Sequence, residues 1–202
     1  MTTPTQDSLS DANNRADEDM LVIQAKAGEV AAFEKLYRKY YNRICSYLVH
    51  TVGDEGVGCE LTQETFFKAW QALPSLRKTA TFTGWLYRIA TNLAYDYQRY
   101  NKRRIKELYD RRNELEEMIV VGPEEQIEAE ETLRLALASI PWKYRACLIL
   151  YHVEGISKQK IAAYLEIKEN SVGTYVSAGM EQLRQNYGKI STTHFNKRGE
   201  EV

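Results

Sequence analysis

Ser157-Lys158-Gln159-Lys160-Ile161-Ala162-Ala163-Tyr164-Leu165-Glu166-Ile167-Lys168-Glu169-Asn170-Ser171-Val172 is the stretch that decides the fold. Ser157 suits a helix N-cap, because its hydroxyl accepts from N–H groups that a helix start leaves unpaired. Ile161, Ala162 and Leu165 then fall on one inward face at helical spacing. The turn Glu166-Ile167-Lys168 leads into a last helix that runs through Val172, Val176 and Leu183. Two short helices joined by a tight turn, the second with an exposed polar face, form the pattern of a helix-turn-helix.

Working outward, Ile127, Leu133 and Leu137 mark a preceding helix that ends before Ile140-Pro141. Pro141 suits the start of the next, which runs through Cys147, Leu148 and Tyr151 to Gly155. In the first half Phe33, Leu36, Tyr37, Tyr40, Ile44, Tyr47 and Leu48 recur as the stripe of an amphipathic helix. Gly28 ends a shorter helix begun near Asp17 to Asp19, whose carboxylates suit an N-terminus. Thr62, Phe66, Ala69, Trp70 and Leu73 share a face of a third helix closed by Pro74. A long fourth helix starts near Phe82 and buries Trp85, Leu86, Ile89, Ala90 and Leu93. The fold class is therefore all-α, with two small helical domains joined by a flexible linker. The expected boundaries are a disordered tail over 1–16, a first domain over 17–110, a linker over 111–124, a second domain over 125–189 and a tail over 190–202.

Composition agrees. Of 202 residues, 44% are hydrophobic, enough for a core, while 11 Gly and 4 Pro supply too little turn punctuation for a sandwich or barrel. No apolar run reaches membrane-spanning length, and acidic residues crowd the first twenty positions, so a soluble cytoplasmic protein without membrane insertion is expected. Cys45, Cys59 and Cys147 lie far apart in sequence and signal neither a zinc site nor a disulfide framework. His50, His152 and His194 have no acidic or cysteine partner at ligand spacing. Neither a phosphate-cradling glycine loop nor a nucleophile elbow is present. The expectation is no enzyme, no metal and no cofactor.

The formal net charge of -1 conceals an asymmetry. Residues 20–110 hold 14 Lys and Arg against 9 Asp and Glu, whereas 124–188 hold 7 against 9. On the long helix Arg88, Asn92, Tyr95, Arg99, Lys102, Arg103 and Lys106 share one face. Cations that neutralise phosphate, interleaved with an aromatic ring that can stack on an unpaired base, suit nucleic acid. A solvated helix face gives the same charge pattern, and charge alone does not separate the two.

Four segments carry a resemblance to the extracytoplasmic-function sigma factors of the sigma-70 family. Gly28-Glu29-Val30-Ala31-Ala32-Phe33-Glu34-Lys35-Leu36-Tyr37 resembles the opening of that family's promoter-melting region 2. Glu60-Leu61-Thr62-Gln63-Glu64-Thr65-Phe66-Phe67-Lys68-Ala69-Trp70 is similar to its core-polymerase-binding segment. Phe82-Thr83-Gly84-Trp85-Leu86-Tyr87-Arg88-Ile89-Ala90-Thr91-Asn92-Leu93-Ala94-Tyr95-Asp96-Tyr97-Gln98-Arg99 resembles its minus-10 segment. Ile140-Pro141 followed by the helix-turn-helix resembles region 4, which reads the minus-35 element.

The resemblance implies a sigma factor with core RNA polymerase, promoter DNA and an anti-sigma factor as partners. It implies polymerase contacts at Glu60, Gln63, Glu64 and Phe67. Minus-10 contacts fall to Arg77, Lys78, Trp85, Arg88, Asn92, Asp96, Arg99 and Arg103, and minus-35 contacts to Lys168, Asn170, Ser171, Thr174 and Tyr175. Two departures stand out. Gly58-Cys59-Glu60 replaces an Ala-Glu-Asp run, and Gly173, Tyr175, Ala178 and Met180 replace four cations of the last helix. A helix-turn-helix regulator, or a sigma-like protein with weakened minus-35 binding, is the alternative reading.

Overall fold

The computed structural model describes the backbone of residues 6–76, 82–112 and 129–198, and side chains over 16–76, 82–104 and 132–191. The helices are α1 (Gln6–Lys26), α2 (Val30–Val52), α3 (Glu55–Ala72), α4 (Phe82–Arg112), α5 (Ala129–Ala138), α6 (Trp142–His152), α7 (Lys158–Leu165) and α8 (Glu169–Arg198), with a 3-10 turn at Leu73–Ser75. There is no strand among the described residues. Nor is any of these helices long and apolar enough to cross a membrane.

The amphipathic stripe of α2 is the centre of the first half. Leu36, Ile44, Tyr47 and Leu48 are fully buried, and α1, α3 and α4 all pack on this helix. Its end is set locally: Gly53, at φ 77°, donates its N–H to the Val49 carbonyl. Only glycine takes that left-handed cap without steric cost. One residue on, the Asp54 carboxylate accepts from the Val57 N–H at 2.8 Å and starts α3. The reversal lays α3 against α2 so closely that a Cβ on Gly58 would stand 2.8 Å from the Val49 backbone.

Midway along α2, Glu18 of α1 binds three groups at once. Its carboxylate accepts from Lys39 Nζ at 2.8 Å and Thr83 Oγ1 at 3.2 Å, and from the Tyr40 hydroxyl. Burial by itself raises the Glu18 carboxyl, but the hydrogen bonds from Lys39, Tyr40 and Thr83 and the Lys39 charge outweigh it and hold the group below its ordinary value. This contact ties α1 and α2 to the first turn of α4.

The ends of the chain differ from expectation. Helix α1 starts at Gln6, inside the stretch expected as a disordered 1–16 tail, and α8 continues to Arg198, beyond 189. Neither extension carries an apolar stripe, so hydrophobic period could not reveal them; proline-free runs of helix-tolerant residues continue a helix already anchored elsewhere. Residues 111 and 112 of the expected linker close α4, and 113–124 lie outside the described residues.

Two outcomes follow from this geometry. Gly58→Ala drives a methyl into the α2 backbone and should destabilise the chain by about 1–3 kcal/mol in urea unfolding monitored by circular dichroism. Because Glu18 is held below its ordinary value when folded, its contribution is present above the normal carboxylate range and lost as pH falls through the lowered folded value. Glu18→Gln should therefore flatten the acid limb of the stability–pH curve, measured as melting temperature against pH.

Candidate nucleic-acid interface

Helix α3 divides by period into two faces. Leu61, Thr62, Thr65, Phe66 and Ala69 are buried, the two threonines returning their hydroxyls to the Gly58 and Leu61 carbonyls. Glu60, Gln63, Glu64 and Phe67 point outward together. Phe67 is 61% exposed, a large apolar ring offered to solvent beside Glu64, which pairs with Lys68 at 2.9 Å. The four residues expected to contact polymerase thus form one surface patch.

On α4, Arg88, Asn92, Tyr95, Asp96, Arg99, Lys102 and Arg103 are exposed, as one outward face requires, whereas Trp85 is half-buried. The structure splits this face in two. Trp85, Ile89, Asn92 and Asp96 line a cavity of about 480 Å³ between α3 and α4, closed on the α3 side by Lys68 and Gln71. An indole wall with an amide and a carboxylate at the rim offers stacking plus hydrogen-bonding edges, the chemistry that an unstacked base requires. Arg88 turns the other way, towards the helix-turn-helix. Arg77 and Lys78 lie outside the described residues, and Lys106 lies beyond the described side chains.

Around Arg88 the two halves of the chain meet. The Tyr87 ring, 2% exposed, is stacked on Tyr164 of α7 with centroids 5.4 Å apart and planes 8° apart. The fit requires Gly84, because a Cβ there would lie 2.5 Å from the Tyr164 ring. The Tyr87 hydroxyl donates to Glu154 at 3.0 Å, and burial first, then the Glu154 charge, pushes its pKa up. Arg88 Nη1 donates to Glu166 at 2.5 Å. Glu166 caps α7 at φ 53°, a left-handed conformation that costs a residue with a Cβ about 1–2 kcal/mol. Further along, Tyr95 packs on Trp142 of α6 at 4.8 Å. A residue expected to bind DNA is therefore held by the turn of the helix-turn-helix.

The recognition helix α8 is only partly free. Lys168, Asn170 and Thr174 are exposed and Ser171 is half-buried at its start. Tyr175 instead packs on Tyr144 of α6 at 5.1 Å, so its ring serves the domain's packing as well as its surface. Sequence reading assigned no DNA contact to Lys158, yet its ammonium lies 3.6 Å from where a Cβ of Gly173 would be, placing a cation from α7 over the recognition helix. Its signal was the short turn, which brings the start of α7 back beside α8.

The family model for Sigma-70 region 2 matches residues 36–104, and that for Sigma-70 region 4 matches 130–183. The chain belongs to the sigma-70 family. It is 31% identical over 170 residues to the ECF RNA polymerase sigma factor SigE of Mycolicibacterium smegmatis, an overlap of 80% of this chain and 63% of that one. It is 28% identical over 178 residues to the RNA polymerase sigma-H factor of Pseudomonas aeruginosa, covering 82% and 91% of the two chains. In fold it is similar to the sigma factor RpoE of Bartonella quintana, solved with the anti-sigma factor NepR, with TM-score 0.60 and 20% identity over 78% of this chain and 97% of that one.

In this sigma factor the stacked pair contributes about 0.5–1.5 kcal/mol beyond area burial, whereas the exposed Arg88–Glu166 pair contributes under about 1 kcal/mol. Tyr164→Ala should therefore open the two halves more than Glu166→Ala, and both should strengthen binding of the free chain to single-stranded DNA, by about threefold to tenfold for Tyr164→Ala. Fluorescence anisotropy with labelled oligonucleotide, alongside the radius of gyration from X-ray scattering, reads both effects.

Proposed function

We propose that the chain is an extracytoplasmic-function sigma factor that joins core RNA polymerase, opens a class of promoter and directs initiation, without bond chemistry of its own. The observation that carries this reading is the coexistence of three surfaces in the order that the two matched regions require. They are the Glu60–Gln63–Glu64–Phe67 patch, the Trp85–Asn92–Asp96 cavity and the helix-turn-helix.

Each surface has a role that its chemistry suits. The α3 patch docks on polymerase, its exposed ring supplying apolar area and its carboxylates the charge complementarity that sets specificity. The cavity holds a minus-10 base after it leaves the stack, Trp85 stacking and Asn92 and Asp96 reading its edge. Arg99 and Arg103, with Arg88 once released from Glu166, neutralise the displaced strand. Arg77 and Lys78, which lie outside the described residues, are assigned to the same strand by the resemblance alone. Lys168, Asn170, Ser171, Thr174 and Tyr175 read the minus-35 duplex, with Lys158 adding a phosphate contact. Core polymerase and promoter DNA are then the working partners, in the cytoplasm. An anti-sigma factor is the regulatory partner, a proposal supported by the similar fold of the RpoE that is solved with NepR.

Glu64→Lys reverses charge at the centre of the α3 patch and should weaken holoenzyme assembly by about tenfold while leaving helicity intact, as read by core-polymerase pull-down and circular dichroism. Asn92→Ala should reduce promoter opening in permanganate footprinting more than it reduces assembly. Equal loss of both would overturn the division of labour between α3 and α4. In region 4, each phosphate contact contributes about 0.9 to the salt slope. With Lys158 and Lys168 as the two cations assigned to that contact, minus-35 binding should show a slope of magnitude near 2.

A further inference from the structure

Among the three cysteines, two that are distant in sequence meet in the fold. Cys45 of α2 and Cys59 of α3 lie with their Sγ atoms 3.6 Å apart, and both are half-buried. The approach has a cause in the backbone. Gly58, next to Cys59, is where α3 touches α2 at Val49, and Val49 stands one helical turn from Cys45. A side chain at Gly58 would separate the helices and the thiols together.

We propose that Cys45 and Cys59 form a redox-responsive dithiol that a hydroperoxide closes to an intramolecular disulfide, stapling α2 to α3. The inference goes beyond the sigma-factor reading and does not depend on it.

The chemistry balances with one equivalent of peroxide. Cys59 sulfur attacks the O–O bond of hydrogen peroxide, giving the Cys59 sulfenic acid and one water. Cys45 sulfur then attacks the sulfenic sulfur; the S–S bond forms, and the hydroxide that leaves takes the Cys45 proton as a second water. Two thiols are oxidised and one peroxide is reduced. Burial first, then Cys59, pushes the Cys45 thiol up, which disfavours Cys45 as the group that attacks peroxide first. Closing 3.6 Å to the roughly 2.05 Å of a disulfide is a small movement for two side chains that rotate about χ1. The oxidant reaches this pair because both thiols are partly exposed.

Cys147 supplies an internal reference. It is fully buried, and burial alone pushes its thiol up to about 12. A folded chain should therefore lose two thiols and keep the third.

The consequence falls on the helix that carries the outward patch, since Cys59 precedes Glu60. The cross-link closes a short loop, and constraining the unfolded chain raises the melting temperature, here by roughly 5 °C or more.

The full chain, reduced and freed of reductant, is treated with one to two equivalents of hydrogen peroxide and mapped by mass spectrometry without reduction. The expected result is a Cys45–Cys59 linked peptide pair, an unmodified Cys147 and a higher melting temperature, all reversed by dithiothreitol. Cys45→Ser and Cys59→Ser should each remain helical and gain neither the link nor the stabilisation. Sulfinic acid at Cys59 without a link, disulfide-bonded dimers, or modification of Cys147 at the same rate would each overturn the proposal.

Discussion

The Tyr87 side chain is the aromatic centre of the contact that joins the two halves of this sigma factor, to which Tyr95 on Trp142 and the packing of α5 and α6 on α2 also contribute. Its ring meets Tyr47 of α2 edge-on at 5.5 Å and Tyr164 of α7 face-on at 5.4 Å, so one aromatic spans the cores of both regions. Backbone proximity makes this possible: Gly84 removes the Cβ that would collide with Tyr164, and the hydrogen bond from Tyr87 to Glu154 fixes the depth at which the ring sits. Arg88 follows Tyr87 in sequence, so the same turn of α4 that makes the joint also presents a cation to Glu166. Closure and occlusion of that cation are one geometric event.

The closed arrangement carries its own opposing term. Arg145 of α6 is 4% exposed, and its Nε has no hydrogen-bond partner. Burial lowers its pKa to about 10, an effect that nearby Tyr47 only partly offsets. The side chain stays charged at neutral pH, so a desolvated cation is held near the α2 surface on which α6 packs. An unpartnered buried donor costs about 1–3 kcal/mol, and more when charged. The stacked tyrosines and the burial around them are thus set against the desolvated Arg145, whose penalty a partner that separates the halves recovers, while the cap at Glu166 stays within the α7–α8 turn. An assembly factor that must bring its two regions to separate promoter elements benefits from a joint of this modest strength.

Much of the fold was legible because it rests on short-range rules. The α2 stripe, the Ser157 cap and the turn at Glu166 are set within a few residues of themselves, and the outward patch of α3 follows from period alone. What escaped were consequences of long-range packing. The charged face of α4 reads as one surface, but α3 and α7 approach it from different sides and divide Trp85, Asn92 and Asp96 from Arg88. The Cys45–Cys59 pair is 14 residues apart and carries no sequence spacing signature; it depends on Gly58, whose role becomes visible only once Val49 is beside it. The start of α1 escaped for the opposite reason, having no apolar pattern to read.

The recognition helix shows what the lost cations were exchanged for. A Cβ on Gly179 would stand 3.1 Å from the Tyr144 carbonyl, so α8 lies unusually close to α6 at this point. Tyr175 uses the same proximity to lay its ring on Tyr144. Long basic side chains at these positions would have to be held away from α6 to reach phosphate, and a helix packed this tightly leaves them little room. At Tyr175 packing inside region 4 occupies a position where the resemblance implies a cation, while Gly173 leaves α8 open to Lys158 of α7. On α4, by contrast, Arg99 and Arg103 stay exposed and Trp85 lines the cavity against α3, so cations and an aromatic wall remain available in the first half.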